Sequence, residues 1–246
     1  MLKITKLVRS WWTDFKYIPK IDRAWLSTWL IIYITFIMLD VLTPTFWGSS
    51  LLKYAGIFLC VIYAYKKYYD DSKLIIALFL TFLADTILVW THYYTVGVFV
   101  FCFAQFMHFL RQTTLSKRNL GIFALVISGL TFYNAWSGGV LIYSLGGLYA
   151  MLLIANVVLA SRRYKREQKD FKARCGWYGF MLFIACDLCV GLRYIMLDGL
   201  ISARSLPLVA FLVWVFYYPS QVFIANSSTH KESAKGRNIA KSKAIS

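Results

Sequence analysis

Charge is scarce in this sequence. Only 15% of its 246 residues are Asp, Glu, Lys or Arg, where soluble domains carry about 25%. With 59% hydrophobic residues and a mean hydropathy of +0.59, too little polar surface is left to clothe a water-soluble domain. Histidine is scarcer still: His92, His108 and His230 are far apart along the chain and do not compose a metal-ligand motif. The five cysteines all lie in or beside apolar runs. Cys186 and Cys189 form a C-x-x-C with no second pair and no histidine nearby, which suits small residues on a buried helix face better than zinc. No phosphate loop, serine-hydrolase elbow or dinucleotide fingerprint occurs. Proline is rare, and Pro219 is the only one placed inside an apolar run.

What the chain has instead is a series of apolar runs of about 18 residues or more, the length that crosses a bilayer. They lie at about 24–42, 49–66, 73–91, 94–112, 119–135, 139–160, 174–196 and 207–227. Because these runs are continuously apolar rather than alternating, they predict helices and not a barrel. The expected fold is therefore all-α, a polytopic transmembrane bundle of eight spans over residues 24–227. It is preceded by a basic amphipathic segment (1–23) and followed by a disordered basic tail (228–246). No cleavable signal peptide is expected, because residues 1–23 are basic and aromatic and the first apolar run lacks a small-residue cleavage site.

Eight spans place both termini on one side, and 24 of the 27 Lys and Arg residues fall on that side. Only Lys53, Arg193 and Arg204 fall toward the other face. By the positive-inside rule the termini and the loop 161–174 are expected in the cytoplasm. The same asymmetry accounts for the net charge of +16, so no nucleic-acid partner is needed to explain it.

Two acidic residues break the pattern. Asp85 and Asp187 sit in the middle of spans, where a charged group costs about 2.5–3.5 kcal/mol even on a lenient insertion scale. Counted from the cytoplasmic ends of two spans that both run outward, the carboxyls reach nearly the same depth, about 18 Å for Asp85 at 1.5 Å per residue. Two carboxyls at matched depth can share one cavity; the plainer alternative is that each is a neutral acid bonded to a neighbouring helix. Other polar residues gather near that level. Lys53 lies just inside the outer end of its span and within reach of Asp85, and Arg193 lies six residues after Asp187. Gln105, Tyr217, Tyr218 and Gln221 lie near mid-membrane, and His108 lies in the inner half of its span. Snorkelling for Arg193 and ordinary interhelical packing for the others are the alternatives.

Taken together, these residues resemble the lysoplasmalogenase, or YhhN-like, family of membrane proteins. Lys53 in "SLLKYAG" matches the family's early lysine, and Asp85 in "FLADTILVW" its first aspartate. Gly97 and Phe101 match the next pair. Phe183 and Asp187 in "GFMLFIACD" match the second aspartate motif, and Tyr217, Tyr218 and Gln221 in "FYYPSQ" match the last. Four positions depart from it: Ala84 and Cys186 stand where the family has Gly and Ser, and Gln105 and His108 replace its His and Tyr.

The resemblance implies a cofactor-free hydrolase that cleaves the vinyl-ether bond of a lysoplasmalogen to a fatty aldehyde and a glycerophospho-alcohol. Asp85 and Asp187 would be its acid–base pair. Lys53, Arg193, Gln105, His108, Tyr217, Tyr218 and Gln221 would bind the lysophospholipid, with Lys53 and Arg193 as phosphate contacts. A proton-coupled transporter or lipid-binding protein would use a similar polar cavity. Against transport, the sequence has no internal repeat and no pair of Gly/Pro-broken spans in corresponding halves. The membrane would be the plasma membrane in a bacterium and the endoplasmic reticulum or another endomembrane in a eukaryote.

Overall fold

The structure, a computed structural model, describes residues 20–43, 47–113, 129, 133, 141–197 and 203–229. Among them lie seven long helices: α1 (Lys20–Leu42), α2 (Gly48–Lys67), α3 (Ser72–Trp90), α4 (Tyr94–Gln112), α5 (Leu141–Arg166), α6 (Phe171–Leu197) and α7 (Leu206–Ala225). A single 3₁₀ turn, Ala203–Ser205, precedes α7. All seven helices are long and apolar enough to cross a membrane. They coincide with seven of the eight expected spans. The remaining one, at 119–135, lies outside the described residues save 129 and 133, as do the amphipathic segment and the basic tail for most of their length.

The chain divides into two compact units, residues 1–56 and 57–246. The first contains α1 and the opening turns of α2. Here Lys53 and Ser49 of α2 converge on Asp40 near the end of α1: the ammonium lies 2.7 Å from one carboxylate oxygen and 3.0 Å from the other, which also accepts the Ser49 hydroxyl. The Phe36 ring lies 5.4 Å from the same ammonium.

The second unit is apolar outside, as burial in lipid requires, and buries a set of polar groups among apolar ones inside. On α3, Ile76, Phe79, Leu83 and Trp90 are exposed, while Leu74, Ala77, Leu78, Thr81, Ala84 and Asp85 are buried. The buried set repeats at three- and four-residue spacing, so a single helix face carries both small residues and the aspartate. Helices can approach closely where such small residues meet. A Cβ added at Gly179 of α6 would lie 3.0 Å from the Ile224 nitrogen and 3.1 Å from the Ser220 carbonyl oxygen of α7. Glycine at this position sets the α6–α7 separation.

Contacts between the helices fix their directions. α3 leaves the basic end of the unit, α4 returns to it, and α4 and α5 then run the same way. Thus Cys102 Sγ of α4 meets the Leu145 carbonyl near the start of α5, at 3.5 Å. At the other end, Arg111 of α4 and Arg163 of α5 both donate to the Ser227 carbonyl, each at 3.3 Å. α6 climbs again and α7 descends beside it.

At the basic end the chain is clasped. Asp71 caps α3 by accepting the Leu74 N–H at 3.2 Å, filling one of the donors a helix start leaves open. Its other oxygen accepts the Ser228 hydroxyl at 2.9 Å and the Thr229 N–H at 3.0 Å. Burial opposes ionisation of Asp71, but the Arg111 charge and these three hydrogen bonds outweigh it and hold the carboxyl below its usual range. Arg163 adds bonds to the Ser228 carbonyl, at 3.2 Å, and to Asp170, at 3.1 Å. The segment after α7 is thereby tied to α3, α4 and α5 together.

Candidate active site

The two aspartates that were costly in sequence lie in one cluster. Asp85 of α3 is buried and accepts a hydrogen bond from the Tyr217 hydroxyl of α7 at 2.5 Å. Asp187 of α6 is half-buried and accepts one from the Tyr149 hydroxyl of α5 at 2.6 Å. Each carboxyl is thus held by a phenol from a different helix. Asp187 lies within electrostatic range of Asp85, and Cys186 within range of both.

Aromatic rings enclose the pair. Phe183, one turn before Asp187, stands edge-on to Tyr217 with ring centroids 5.6 Å apart. Phe101 of α4 packs edge-on against Tyr149 at 5.7 Å and against Phe183 at 6.4 Å. Edge-to-face rings at these separations are favourable and leave little rotational freedom for the phenols that hold the carboxyls. Four helices therefore supply the ring, with the fifth, α3, contributing Asp85.

One turn toward the basic end is a second polar layer. Gln105 of α4 accepts a hydrogen bond from Asn156 of α5 at 2.9 Å, and the same amide also donates to the Gln105 main-chain carbonyl at 2.9 Å. Asn156 in turn accepts from Gln112 at 3.0 Å. Gln221 of α7 lies one turn below Tyr217, and its amide donates to Ser220 Oγ at 3.3 Å. His108 is fully buried, edge-on to Phe180 at 5.4 Å.

The other expected residues are placed differently. Tyr218 is buried but points away from Tyr217, within electrostatic reach of Cys60 on α2; successive helix positions diverge by about 100°. Arg193 is exposed, nearly two turns beyond Asp187. Lys53 belongs to the first unit, where it pairs with Asp40.

Two contributors to the cluster were not anticipated, Tyr149 and Asn156, and in the first unit neither was Asp40, the partner of Lys53. Tyr149 and Asn156 are seven residues apart on α5 and so share a face, the only sequence signal that links them. Asp40 sits at a span end, where an acidic residue attracts no notice.

No curated protein and no solved structure matches this chain. A family model does, over residues 48–228, a stretch that contains Asp85, Asp187 and the tyrosines that hold them. The chain belongs to the YhhN family.

Proposed function

We propose that this protein is a membrane-embedded hydrolase that cleaves the vinyl-ether bond of a lysoplasmalogen. The observation that carries the reading is the pair of interacting carboxyls, each held by a phenol, inside an aromatic-lined membrane interior. Vinyl-ether hydrolysis needs two such groups. One donates a proton to the outer vinyl carbon, leaving an oxocarbenium-like cation on the carbon bonded to oxygen. The other, ionised, steadies that cation and draws a proton from water as its oxygen adds. The hemiacetal then collapses: its C–O bond to glycerol breaks, the alcohol oxygen takes the proton that the second carboxyl drew from water, the hemiacetal hydroxyl returns its proton to the first carboxyl, and an aldehyde remains. Division of labour between two neighbouring carboxyls is the logic of glycosidases, whose transition state is also oxocarbenium-like.

Asp85 and Asp187 act as one acid–base unit, and Tyr217 and Tyr149 orient them. A single-chain lysolipid suits the setting, because its tail can lie among apolar helix faces. Arg193, about 9 Å along α6 from Asp187 at 1.5 Å per residue and exposed, is placed to meet the phosphate. Lys53 would contact a phosphate only by sharing its charge with Asp40. No cofactor takes part. The membrane is the plasma membrane in a bacterium and an endomembrane in a eukaryote.

The test is to incubate the purified full-length protein with vinyl-ether, alkyl-ether and acyl lysolipids. Release of fatty aldehyde from the vinyl-ether lipid alone is the expected result. Fatty acid from the acyl lipid would overturn the assignment in favour of an ester hydrolase, and no product from any would overturn it in favour of a lipid carrier.

A further inference from the structure

Below the carboxyl pair, on the side of the basic end, five buried side-chain atoms find no hydrogen-bond partner among the described residues. They are Thr81 Oγ1, Gln105 Nε2, both ring nitrogens of His108, and Gln221 Oε1. All four residues are 1% exposed or less. They also lie at neighbouring levels of the bundle. Thr81 is one turn before Asp85 on α3, and Gln221 one turn after Tyr217 on the antiparallel α7. Since Tyr217 bonds Asp85, the two lie at the same level. Gln105 is one turn after Phe101 on α4, with His108 one turn beyond it. Three residues further on, Arg111 Nε likewise has no partner among the described residues, although its two terminal nitrogens bond Ser227. A polar column thus leads from the carboxyl ring to the clasp at the basic end.

Buried polar atoms are seldom left unmade, because each costs its full desolvation penalty; several together would rival the stability of a whole domain. Their chemistry indicates what completes them. The Gln105 amide donates, the Gln221 carbonyl accepts, the Thr81 hydroxyl does both, and a neutral imidazole offers one of each. A phosphate, which only accepts, would leave Gln221 and one imidazole nitrogen unsatisfied. Water donates and accepts, and a buried water takes about three such partners.

We propose that Thr81, Gln105, His108 and Gln221 form an internal hydration site holding about two waters, judged from five open atoms at about three per molecule with some shared. Resting on the hydrolase reading above, this site supplies the water that adds to the substrate. The column starts one turn from Asp85 and from the Tyr217 that holds it, so water kept there is close to the carboxyl pair. The residues serve as positioning residues: they hold water and do not touch the lysolipid.

Radiolytic hydroxyl labelling of the intact protein in lipid nanodiscs tests this, since radicals made from a bound water oxidise the side chains beside it. His108 and its ring neighbour Phe180 should be oxidised as fast as exposed aromatic residues despite full burial. Thr81→Val combined with Gln221→Leu should cut that labelling at least tenfold. The same variant should lower kcat at least tenfold on vinyl-ether lysolipid with KM unchanged, and its melting temperature should not fall. Background labelling of His108 in the unaltered protein overturns the proposal, as does labelling that persists in the variant. A KM that rises in step with lost labelling also overturns it, by making the column a head-group site. Strong labelling that the variant abolishes, in a protein that releases no aldehyde, upholds the hydration site and removes the hydrolase reading instead.

Discussion

Asp71→Asn should loosen the basic end of the bundle by an amount the hydrogen bonds predict. The carboxylate caps α3 through Leu74, a contact typically worth about 1 kcal/mol. It also accepts from Ser228 and Thr229, and bonds to an ionised acceptor contribute about 1.5–3 kcal/mol each. Asparagine keeps one acceptor oxygen and loses the charge that faces buried Arg111. A loss of about 2–4 kcal/mol follows, or roughly 4–15 °C in melting temperature at about 2–4 °C per kcal/mol.

The pH dependence has a defined sign. The folded-state pKa of Asp71 is lowered, so its contribution is complete above the unfolded value, about 3.9. It disappears as pH falls through the lower folded value. The unaltered protein should therefore lose melting temperature below about pH 4, and the Asn variant should show a shallower loss over the same range. Thermal unfolding in detergent, followed by tryptophan fluorescence from pH 3 to 7, measures both quantities. A variant within 1 °C of the parent at pH 7, or with the same acid slope, refutes the reasoning.

Three further outcomes are expected. Tyr217→Phe and Tyr149→Phe each remove a phenol that orients a carboxyl, so kcat on vinyl-ether lysolipid should fall about tenfold or more, for a bond to a charged group worth about 1.5–3 kcal/mol. KM should barely change; a loss confined to KM would assign the tyrosines to substrate binding. Gly179→Ala should cost about 1–3 kcal/mol of stability, because the new methyl meets the α7 backbone. Gly191→Ala, with nothing within 4 Å, should be neutral or slightly stabilising, and equal effects at the two sites would deny the close approach. Single cysteines placed in the loop 161–174 should resist an impermeant thiol reagent on intact cells, as cytoplasmic residues do; their labelling would invert the topology.

Most of the fold was legible because a bilayer writes its thickness into the sequence. The ends of α5 and α6 were less so. Apolar content ends near residue 160, yet α5 continues to Arg166, the last turn carrying an Arg163–Glu167 pair at 3.0 Å. Hydropathy marks where lipid stops, whereas helices stop where their hydrogen bonds do. The aspartates stood out because a carboxyl in an apolar run is costly. Tyr149 did not, since tyrosine is at home in such a run, and only the rotation of α5 about its axis brings its hydroxyl to Asp187. Asp40, 13 positions before Lys53, pairs with it at the facing ends of α1 and α2, a partner that depth within a span does not reveal. The unmatched atoms of Gln105, His108 and Gln221 were equally hidden, because sequence shows that a group is polar and not whether it is satisfied.

The central claim is that Asp85 and Asp187 work as one acid–base unit, and a double-mutant comparison of aldehyde release tests it most directly. Asp85→Asn and Asp187→Asn preserve shape and most hydrogen bonding while removing proton exchange. The account predicts that each single change nearly abolishes turnover in a protein that still folds, and that the double mutant is scarcely worse than either. Single mutants that remain active, or losses that multiply in the double mutant, would contradict it.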